Sequence, residues 1–208
     1  MTLRIGFDVD GVLADMAASV GREAAEVLGA PSQDKPGDPT TDGARRLTRS
    51  EQRDVWRRMR RIDNVWESLD EIEHGIVARL WALAQERRWE VVFLTSRPDA
   101  TGHAVQLQTQ RWLQRHGFLM PSAFVVRSSR GRIAAALGLD VVIDDRPENC
   151  LDVIADSSAA AFLILRSNDE RIAASARSLG IRVLNSLAEC LDVLVSSELN
   201  THRKSRPA

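Results

Sequence analysis

A short apolar segment near the N-terminus ends in two aspartates, Asp8 and Asp10, and this feature constrains the fold more than any other. Alternate side chains of a strand point to opposite faces, so both carboxylates share one face while Phe7 and Val9 occupy the other. Gly11 follows and lets the backbone turn away. Because an isolated aspartate after a strand is usually a turn or helix-capping residue, the pair gains meaning only from its partners.

Two further apolar segments end in residues of related chemistry. The segment 91–94 is followed by Thr95-Ser96, and the segment 141–143 is followed by Asp144-Asp145. In an open parallel sheet, the carboxyl ends of neighbouring strands line one crevice, so these residues are predicted to converge there. Carboxylates that meet in this way raise one another's pKa unless a cation lies among them. A divalent ion is therefore predicted, and a ligand set made of oxygens favours Mg²⁺.

The order of these motifs resembles the haloacid-dehalogenase-like hydrolase superfamily. The resemblance implies a doubly wound α/β fold in which Asp8 is the nucleophile that forms an aspartyl-phosphate, and Asp10 is the general acid and base. It also implies that Thr95 holds the transferring phosphoryl group. The implied Mg²⁺ ligands are Asp8, the Asp10 carbonyl oxygen, Asp145 directly and Asp144 through water.

The residue types suit this chemistry on independent grounds. A carboxylate can attack phosphorus in line once a metal ion has neutralised part of the repulsion between them, and this divides a slow hydrolysis into two easier steps. A second carboxylate, Asp10, can protonate the departing oxygen and later take a proton from water. Phosphate-ester hydrolysis demands dense charge stabilisation, which these motifs supply.

The chain departs from the family pattern at one position, where a lysine usually precedes the final acidic pair. Its lysines, Lys35 and Lys204, do not fit that position. The cation is therefore expected among the arginines of 127–132, and residues two apart on a helix do not share a face, so Arg130 and Arg132 cannot both reach the crevice. The family spacing favours Arg130, with a solvated surface arginine as the alternative. Arginine is not interchangeable with lysine, so catalytic competence needs a test.

Composition favours a single enzyme-sized unit. A chain of 208 residues with 44% hydrophobic content can bury a substantial core. The formal net charge of −1 gives no reason to expect nucleic acid or a membrane surface as a partner. Cys150 and Cys190 lack metal-type spacing, so free thiols are expected. The first strand leaves no room for a signal peptide and no segment is long enough to span a membrane, so a cytoplasmic protein is expected.

Six short apolar segments predict a parallel sheet, because most of them lack polar alternation. Helical patterns lie between them, and glycines such as Gly117 and Gly138 mark helix ends. The predicted core is 1–13 and 89–197, and the polar residues 198–208 are predicted to form a flexible tail. The predicted strands are 3–7, 91–94, 123–126, 141–143, 161–165 and 181–184, and the predicted core helices are 103–116, 132–137, 169–179 and 187–197.

The interval between the first two strands predicts a helical cap over 14–88. Helices are expected at 14–28, 50–61, where Ser50 is the candidate N-cap, and 73–87. A loop or lid rich in Pro, Asp and Gly is expected over 29–43. On the return path from the cap, Trp66 is the residue expected to stack on a base or ring, with ordinary packing as the alternative.

Several stretches, together with the short cap, resemble the 5′-nucleotidase and deoxyribonucleotidase branch of the superfamily. They are Asp-Gly-Val-Leu-Ala-Asp near the start, the turn Thr-Ser-Arg-Pro and the ending Asp-Asp-Arg-Pro-Glu-Asn. The resemblance implies a phosphomonoesterase of nucleoside monophosphates in which Ser96 and Arg97 help to hold the phosphate. A phosphatase of another small metabolite or of a nucleic-acid end, and a non-catalytic phosphate-binding regulatory domain, stay open as alternatives. The oligomeric state stays open as well.

Overall fold

The apolar segments form one parallel sheet in the computed structural model, which describes residues 2–28, 47–167 and 169–204. Neighbouring strands all run parallel, as expected for segments that are apolar on both faces. The predicted doubly wound α/β fold is thereby confirmed. Within the described residues the strands are β1 (Arg4–Asp8), β2 (Glu90–Thr95), β3 (Ser122–Val125), β4 (Val141–Asp144), β5 (Ala160–Ile164) and β6 (Arg182–Leu184).

The strand order is β3-β2-β1-β4-β5-β6, so the chain builds the sheet outward from β1 in one direction and then, from β4, in the other. β1 and β4 lie side by side, with Phe7 opposite Ile143. Such a change of direction between neighbouring strands leaves a crevice at their carboxyl ends. Asp8 and Asp144 are the last residues of these two strands, so the fold carries both of them to the crevice.

Helices cover both faces of the sheet. Consecutive strand residues point to opposite faces and enter separate apolar clusters, Phe93 and Ile143 in one and Leu94 and Val142 in the other. All four side chains are buried, so neither face is left to solvent at these strands. In the described ranges the helices are α1 (Met16–Leu28), α2 (Arg49–Met59), α3 (Ile76–Arg87), α4 (Val105–Arg115), α5 (Arg130–Leu137), α6 (Pro147–Asp156), α7 (Glu170–Ser178) and α8 (Leu187–Lys204).

Two helices differ from the sequence prediction. The prediction omits α6, which begins at Pro147 directly after the acidic pair. Proline is favourable at that first position because its missing N–H would have no helical partner there. The predicted end of the last helix is Ser197, whereas α8 continues to Lys204, so helical backbone occupies the first part of the predicted tail. A formed helix extends at low cost even through polar residues that give no apolar pattern.

Helix α3 packs against the core of the sheet, although the prediction places it in the cap. The Trp81 ring meets Phe118 edge-on with centroids 4.9 Å apart, and Phe118 lies 4.8 Å from Phe93 of β2. Such edge-to-face pairs add to the free energy gained by burying the rings. We therefore favour assigning α3 to the core, and the division into core and cap otherwise stays a prediction.

The inserted segment begins and ends at one place on the core. Ala14 and Glu71 form an antiparallel bridge, and the Asp15 N–H donates to the Asp70 carbonyl oxygen at 2.9 Å. The two ends of the insertion are therefore paired like neighbouring strands.

Helices α1 and α2 of the insertion pack on each other. Arg58 of α2 donates to Glu23 of α1 at 2.6 Å. A capping box opens α2, because the Thr48 hydroxyl accepts from the Glu51 N–H while the Glu51 carboxylate accepts from the Thr48 N–H. The N-cap is thus Thr48, and the predicted cap residue Ser50 lies inside the helix.

Three smaller expectations also have an outcome. The loop predicted over 29–43, which contains Lys35, lies outside the described residues. Cys150 and Cys190 are buried free thiols, as expected. None of the helices in the described part of the chain combines the length and the apolarity that crossing a bilayer would require.

Candidate active site

Three carboxylates meet at the carboxyl ends of β1 and β4. Asp8 and Asp144 end these strands, and Asp145 follows directly. One carboxylate oxygen from each of the three lies within 4.8 Å of the others. Asp8 and Asp144 are buried, and Asp145 is partly buried. The sheet therefore brings together the acidic cluster that the strand ends predict.

Arg130 places a positive charge between two of these carboxylates. Its Nη2 donates to Asp8 Oδ1 at 2.5 Å, and its Nε donates to Asp144 Oδ2 at 3.4 Å. Only 4% of Arg130 is exposed. Arg132 lies on the outer side of α5, where its Nε is 3.8 Å from an Asp156 oxygen and most of its side chain is in solvent. Of these two arginines, the structure brings Arg130 into the crevice.

Close packing of α5 on α6 holds Arg130 in this position. The Ser129 hydroxyl, at the start of α5, donates to Asp156 of α6 at 3.0 Å. A β-carbon built on Gly131 would lie 2.0 Å from the carbonyl oxygen of Asp152. Only glycine lets the two helices approach so closely, and the first turn of α5 is thereby fixed against the crevice.

Burial and mutual repulsion dominate the electrostatics of the cluster. Burial raises the pKa of Asp8 well above its usual value, the nearby Asp144 raises it further, and Arg130 opposes both effects. The pKa of Asp144 is also raised by burial, against hydrogen bonds that favour its ionised form. Burial and the charge of Asp144 raise the pKa of Asp145 to about 7. Ionising all three carboxylates without a further cation is therefore costly.

The donor set fits a hard divalent ion. Asp145 Oδ1 is buried and has no hydrogen-bond partner among the residues that the structure describes, although a buried polar atom normally has one. The same side chain lies against Gly11, where a β-carbon would be 2.0 Å from Asp145 Oδ2 and where the backbone φ is +86°. Glycine at that position keeps the backbone close to the cluster. An unpartnered carboxylate oxygen beside two further carboxylates is the ligand chemistry that Mg²⁺ prefers.

Asp10 faces a different set of partners from those of Asp8. Arg97 Nε donates to both Asp10 oxygens, at 2.9 and 3.0 Å, and its Nη2 donates to Oδ1 at 2.7 Å. The Thr95 hydroxyl donates to Oδ2 at 3.0 Å. The Arg97 side chain is fully buried, whereas 17% of the Asp10 side chain is exposed. Asp10 is therefore held on the protein side by an arginine and a threonine.

The residues predicted to contact phosphate after β2 differ in their exposure and in their contacts. Ser96 is exposed at the end of the strand, where its hydroxyl can meet a ligand. Arg97 is 2% exposed and directs its guanidinium to Asp10 and Thr109, and its role as a phosphate ligand stays a prediction. The side chain of Thr95 is buried as well and donates to Asp10.

Trp66 lies in the core and leaves no surface for a base or ring. Its side chain is 0% exposed, and its Nε1–H donates to the Pro98 carbonyl oxygen at 3.1 Å. The Arg97 guanidinium carbon lies 5.4 Å from the ring centroid. The burial of Trp66 favours the packing alternative, and its stacking on a substrate stays a prediction.

Two residues near the site were not singled out by sequence reasoning. Asn149 of α6 donates to both Asp144 oxygens, at 3.0 and 2.9 Å, and its position in the motif that follows the acidic pair was the available signal. Arg166, just after β5, donates to the carbonyl oxygens of Gly11 and Val12 at 2.5 and 3.1 Å. A basic residue directly after an apolar strand was the signal in that case.

Solved structures with a similar fold include several proteins described as haloacid-dehalogenase-like hydrolases. A haloacid-dehalogenase family hydrolase from Deinococcus radiodurans, with bound phosphate and sodium, is 17% identical with a TM-score of 0.59, over 95% of this chain and 97% of that one. A protein from Thermotoga maritima described as a β-phosphoglucomutase is 18% identical with a TM-score of 0.53, over 94% and 99%. At these identities the likeness concerns the fold. No curated protein sequence matches the chain.

A family model gives the more specific relationship. The model described as 5′ nucleotidase, deoxy (pyrimidine), cytosolic type C protein matches residues 2–178. The matched range spans all the strands of the sheet except β6 and contains every residue of the acidic cluster. The chain therefore belongs to this 5′ nucleotidase family, and its enzyme class is that of a phosphatase.

Proposed function

We propose that this protein is a Mg²⁺-dependent phosphomonoesterase that acts through an aspartyl-phosphate on Asp8. We further propose that its substrates are (deoxy)nucleoside monophosphates and that it works in the cytoplasm. The observation that carries the proposal is the buried Asp8 carboxylate, which lies within a cluster of acids and is held by Arg130. The family's description supports a nucleotide substrate.

Asp8, Asp144 and Asp145 are the side chains that would hold Mg²⁺, together with the carbonyl oxygen of Asp10. When bound, the ion would offset the repulsion among these carboxylates and part of the charge on the phosphoryl group. Asn149 keeps Asp144 oriented from the protein side. Support of this kind around a ligand is what fixes its geometry.

Asp8 is the nucleophile in this proposal. One of its oxygens forms a bond to phosphorus while the bond from phosphorus to the ester oxygen breaks. Arg130 holds the other oxygen and so orients the one that attacks. Asp10 gives a proton to the departing oxygen, and it takes a proton from the water that later attacks phosphorus and releases Asp8. Ser96 and Thr95 are the residues proposed to hold the phosphoryl oxygens, and the exposure of Ser96 supports its part in this.

The non-catalytic alternative is less well supported by the site. The resemblance implies a lysine before the acidic pair, and Arg130 supplies a cation that reaches both Asp8 and Asp144. The buried pair of Asp8 and Arg130 supports chemistry within the crevice over phosphate binding at an exposed surface. A phosphorylated nucleic-acid end would be a substrate of another kind, and its hydrolysis would depend steeply on salt.

The test is phosphate release by the purified full-length protein. The panel contains ribo- and deoxyribonucleoside monophosphates, sugar phosphates and a phosphorylated oligonucleotide, each with Mg²⁺ and with EDTA. Asp8→Asn keeps the shape of the side chain and removes the nucleophile. Asp192→Asn is the matched control, because Asp192 of α8 is an exposed aspartate that pairs with Arg79 of α3 and is not among the proposed site residues.

We expect turnover of nucleoside monophosphates with Mg²⁺, no turnover with EDTA, and loss of activity in Asp8→Asn only. Substantial Mg²⁺-dependent turnover by Asp8→Asn would reject the aspartyl-phosphate. Turnover confined to sugar phosphates or the oligonucleotide would reject the nucleotide substrate and keep the enzyme class.

A further inference from the structure

Arg97 is a buried cation that the proposed chemistry leaves without a role. Its side chain is fully buried, and its charged partner is Asp10. Removing an arginine and a carboxylate from water costs several kcal/mol for each ion before their attraction offsets it. Replacing such a pair with apolar residues is often neutral or stabilising, so stability alone does not explain why it is there.

The contacts of Arg97 define the orientation of Asp10. Nε reaches both carboxylate oxygens and Nη2 reaches Oδ1, so the carboxylate plane is fixed against the guanidinium plane. The Thr95 hydroxyl adds a contact to Oδ2 at 3.0 Å. With these contacts in place, the Asp10 carboxylate cannot rotate freely about its side-chain bonds.

Arg97 is in turn held from two sides. Its Nη1 donates to the Thr109 hydroxyl of α4 at 3.1 Å. The Trp66 ring, in the return path of the insertion, covers the guanidinium at 5.4 Å. Trp66 is fixed by Pro98 through its Nε1–H, and its backbone N–H donates to the buried Gln108 side chain at 3.1 Å. A segment of the insertion is thus connected to Asp10 through one arginine.

We propose that Arg97 is a positioning residue that aims the Asp10 carboxyl at the leaving-group oxygen, and that Trp66 keeps Arg97 in place. This inference rests on the proposed function. In the step concerned, Asp8 bonds to phosphorus, the ester P–O bond breaks, and the proton on Asp10 passes to the departing oxygen. Proton transfer of this kind is worth about 10²–10⁴-fold in rate and depends on the position of the donor.

Substrates with different leaving groups distinguish a positioning role of Arg97 from a structural role. A structural role would lower the activity on both substrates equally. A nucleoside 5′-alkoxide needs the proton as the ester bond breaks, whereas p-nitrophenolate departs without one. The parameter kcat/KM reports the steps up to the first irreversible one, which is ester cleavage, so it isolates this difference. The measurement is kcat/KM for a nucleoside 5′-monophosphate and for p-nitrophenyl phosphate, with Mg²⁺, in wild type, Arg97→Met and Arg97→Lys.

We expect Arg97→Met to lower kcat/KM by about 100-fold for the nucleotide and by about tenfold or less for p-nitrophenyl phosphate. Arg97→Lys keeps the positive charge but removes the planar guanidinium that contacts both Asp10 oxygens. It should show the same pattern with smaller losses. In an Asp10→Asn background, Arg97→Met should cause no further loss on the nucleotide, because both changes remove one function.

Arg115→Met is the matched control. Arg115 Nη1 donates to the Glu67 carbonyl oxygen at 2.6 Å, so it holds the segment that carries Trp66 without contacting Asp10. Its loss should lower kcat/KM for both substrates by the same small factor.

Equal losses for the two substrates in the Arg97 variants would overturn the inference, as would a full additional loss in the Asp10→Asn background. Thermal unfolding and circular dichroism check the fold of each variant, and if Arg97→Met fails to fold, Arg97→Lys carries both comparisons. A wild type that hydrolyses neither substrate would reject the proposed function and this inference together. An active wild type with parallel losses would reject the inference alone.

Discussion

The metal-free protein should lose stability as the pH rises. Burial beside Asp144 raises the pKa of Asp145 from its ordinary 3.8 to about 7 in the folded protein. In that pH interval the folded state holds a proton that the unfolded state has released. The stability that this proton contributes is therefore fully present below the pKa of Asp145 in the unfolded protein. It is lost as the pH rises through the pKa of Asp145 in the folded protein. The raised pKa of Asp8 acts in the same direction.

The magnitude follows from the two pKa values of Asp145. At about 1.4 kcal/mol per unit, the shift from 3.8 to about 7 corresponds to about 4 kcal/mol once the pH is well above both values. Between pH 5 and pH 8, the linkage relation gives a loss of about 2.5 kcal/mol. The free energy of unfolding of a typical domain is about 5–15 kcal/mol, so this loss is measurable.

The assay is urea unfolding in EDTA at pH 5, 6, 7 and 8, repeated with Mg²⁺. Mg²⁺ should flatten the pH dependence because it binds the ionised carboxylates of the folded state. Asp145→Asn should also flatten it, and Glu148→Gln, a change at an exposed acid on α6, should leave it intact. A metal-free wild type that is as stable at pH 8 as at pH 5 would refute this reasoning, as would an unchanged slope in Asp145→Asn.

Three other predictions test the site and the residues that support it. Arg130→Met should lower kcat by at least about 100-fold in the phosphate-release assay, and Arg132→Met should lower it by less than about twofold. The reverse order would assign the active-site cation to Arg132. Gly11→Ala, whose methyl would overlap Asp145, should weaken the Mg²⁺-induced rise in Tm, and an unchanged rise would contradict the packing. Trp66→Ala should lower the free energy of unfolding in urea by about 3–5 kcal/mol, because the ring is buried. A loss below about 1 kcal/mol would contradict the burial of the ring in the core.

The sheet and the acidic cluster could be predicted because both depend on local patterns. Each strand is a short apolar segment, and a parallel sheet places the carboxyl ends of such segments together. The last residue of one strand, Asp8, was therefore expected near Asp144 although most of the chain lies between them. Arg130 was expected on other grounds, because its spacing to the acidic pair resembles that of the family and because Arg130 and Arg132 cannot share one face of a helix.

The roles of Arg97 and Trp66 could not be predicted, because they depend on what packs beside the loop after β2. Arginine next to an active-site threonine is compatible with binding phosphate or with binding a carboxylate. In the structure, the Thr109 hydroxyl of α4 accepts from the Arg97 guanidinium, and the Gln108 side chain of α4 accepts from the Trp66 backbone N–H. Their positions follow from how α4 packs against the inserted segment, and no sequence pattern specifies that.

The pairing of Ala14 with Glu71 makes the inserted segment a replaceable module. Because its two ends are neighbours, an insertion of another length could be grafted there without changing the spacing of the strands, and closing a longer loop costs little extra entropy. Such an exchange would leave the strands that carry the acidic cluster unchanged. The graft would have to bring its own counterpart of Trp66, since otherwise the core would receive a buried arginine with one face uncovered.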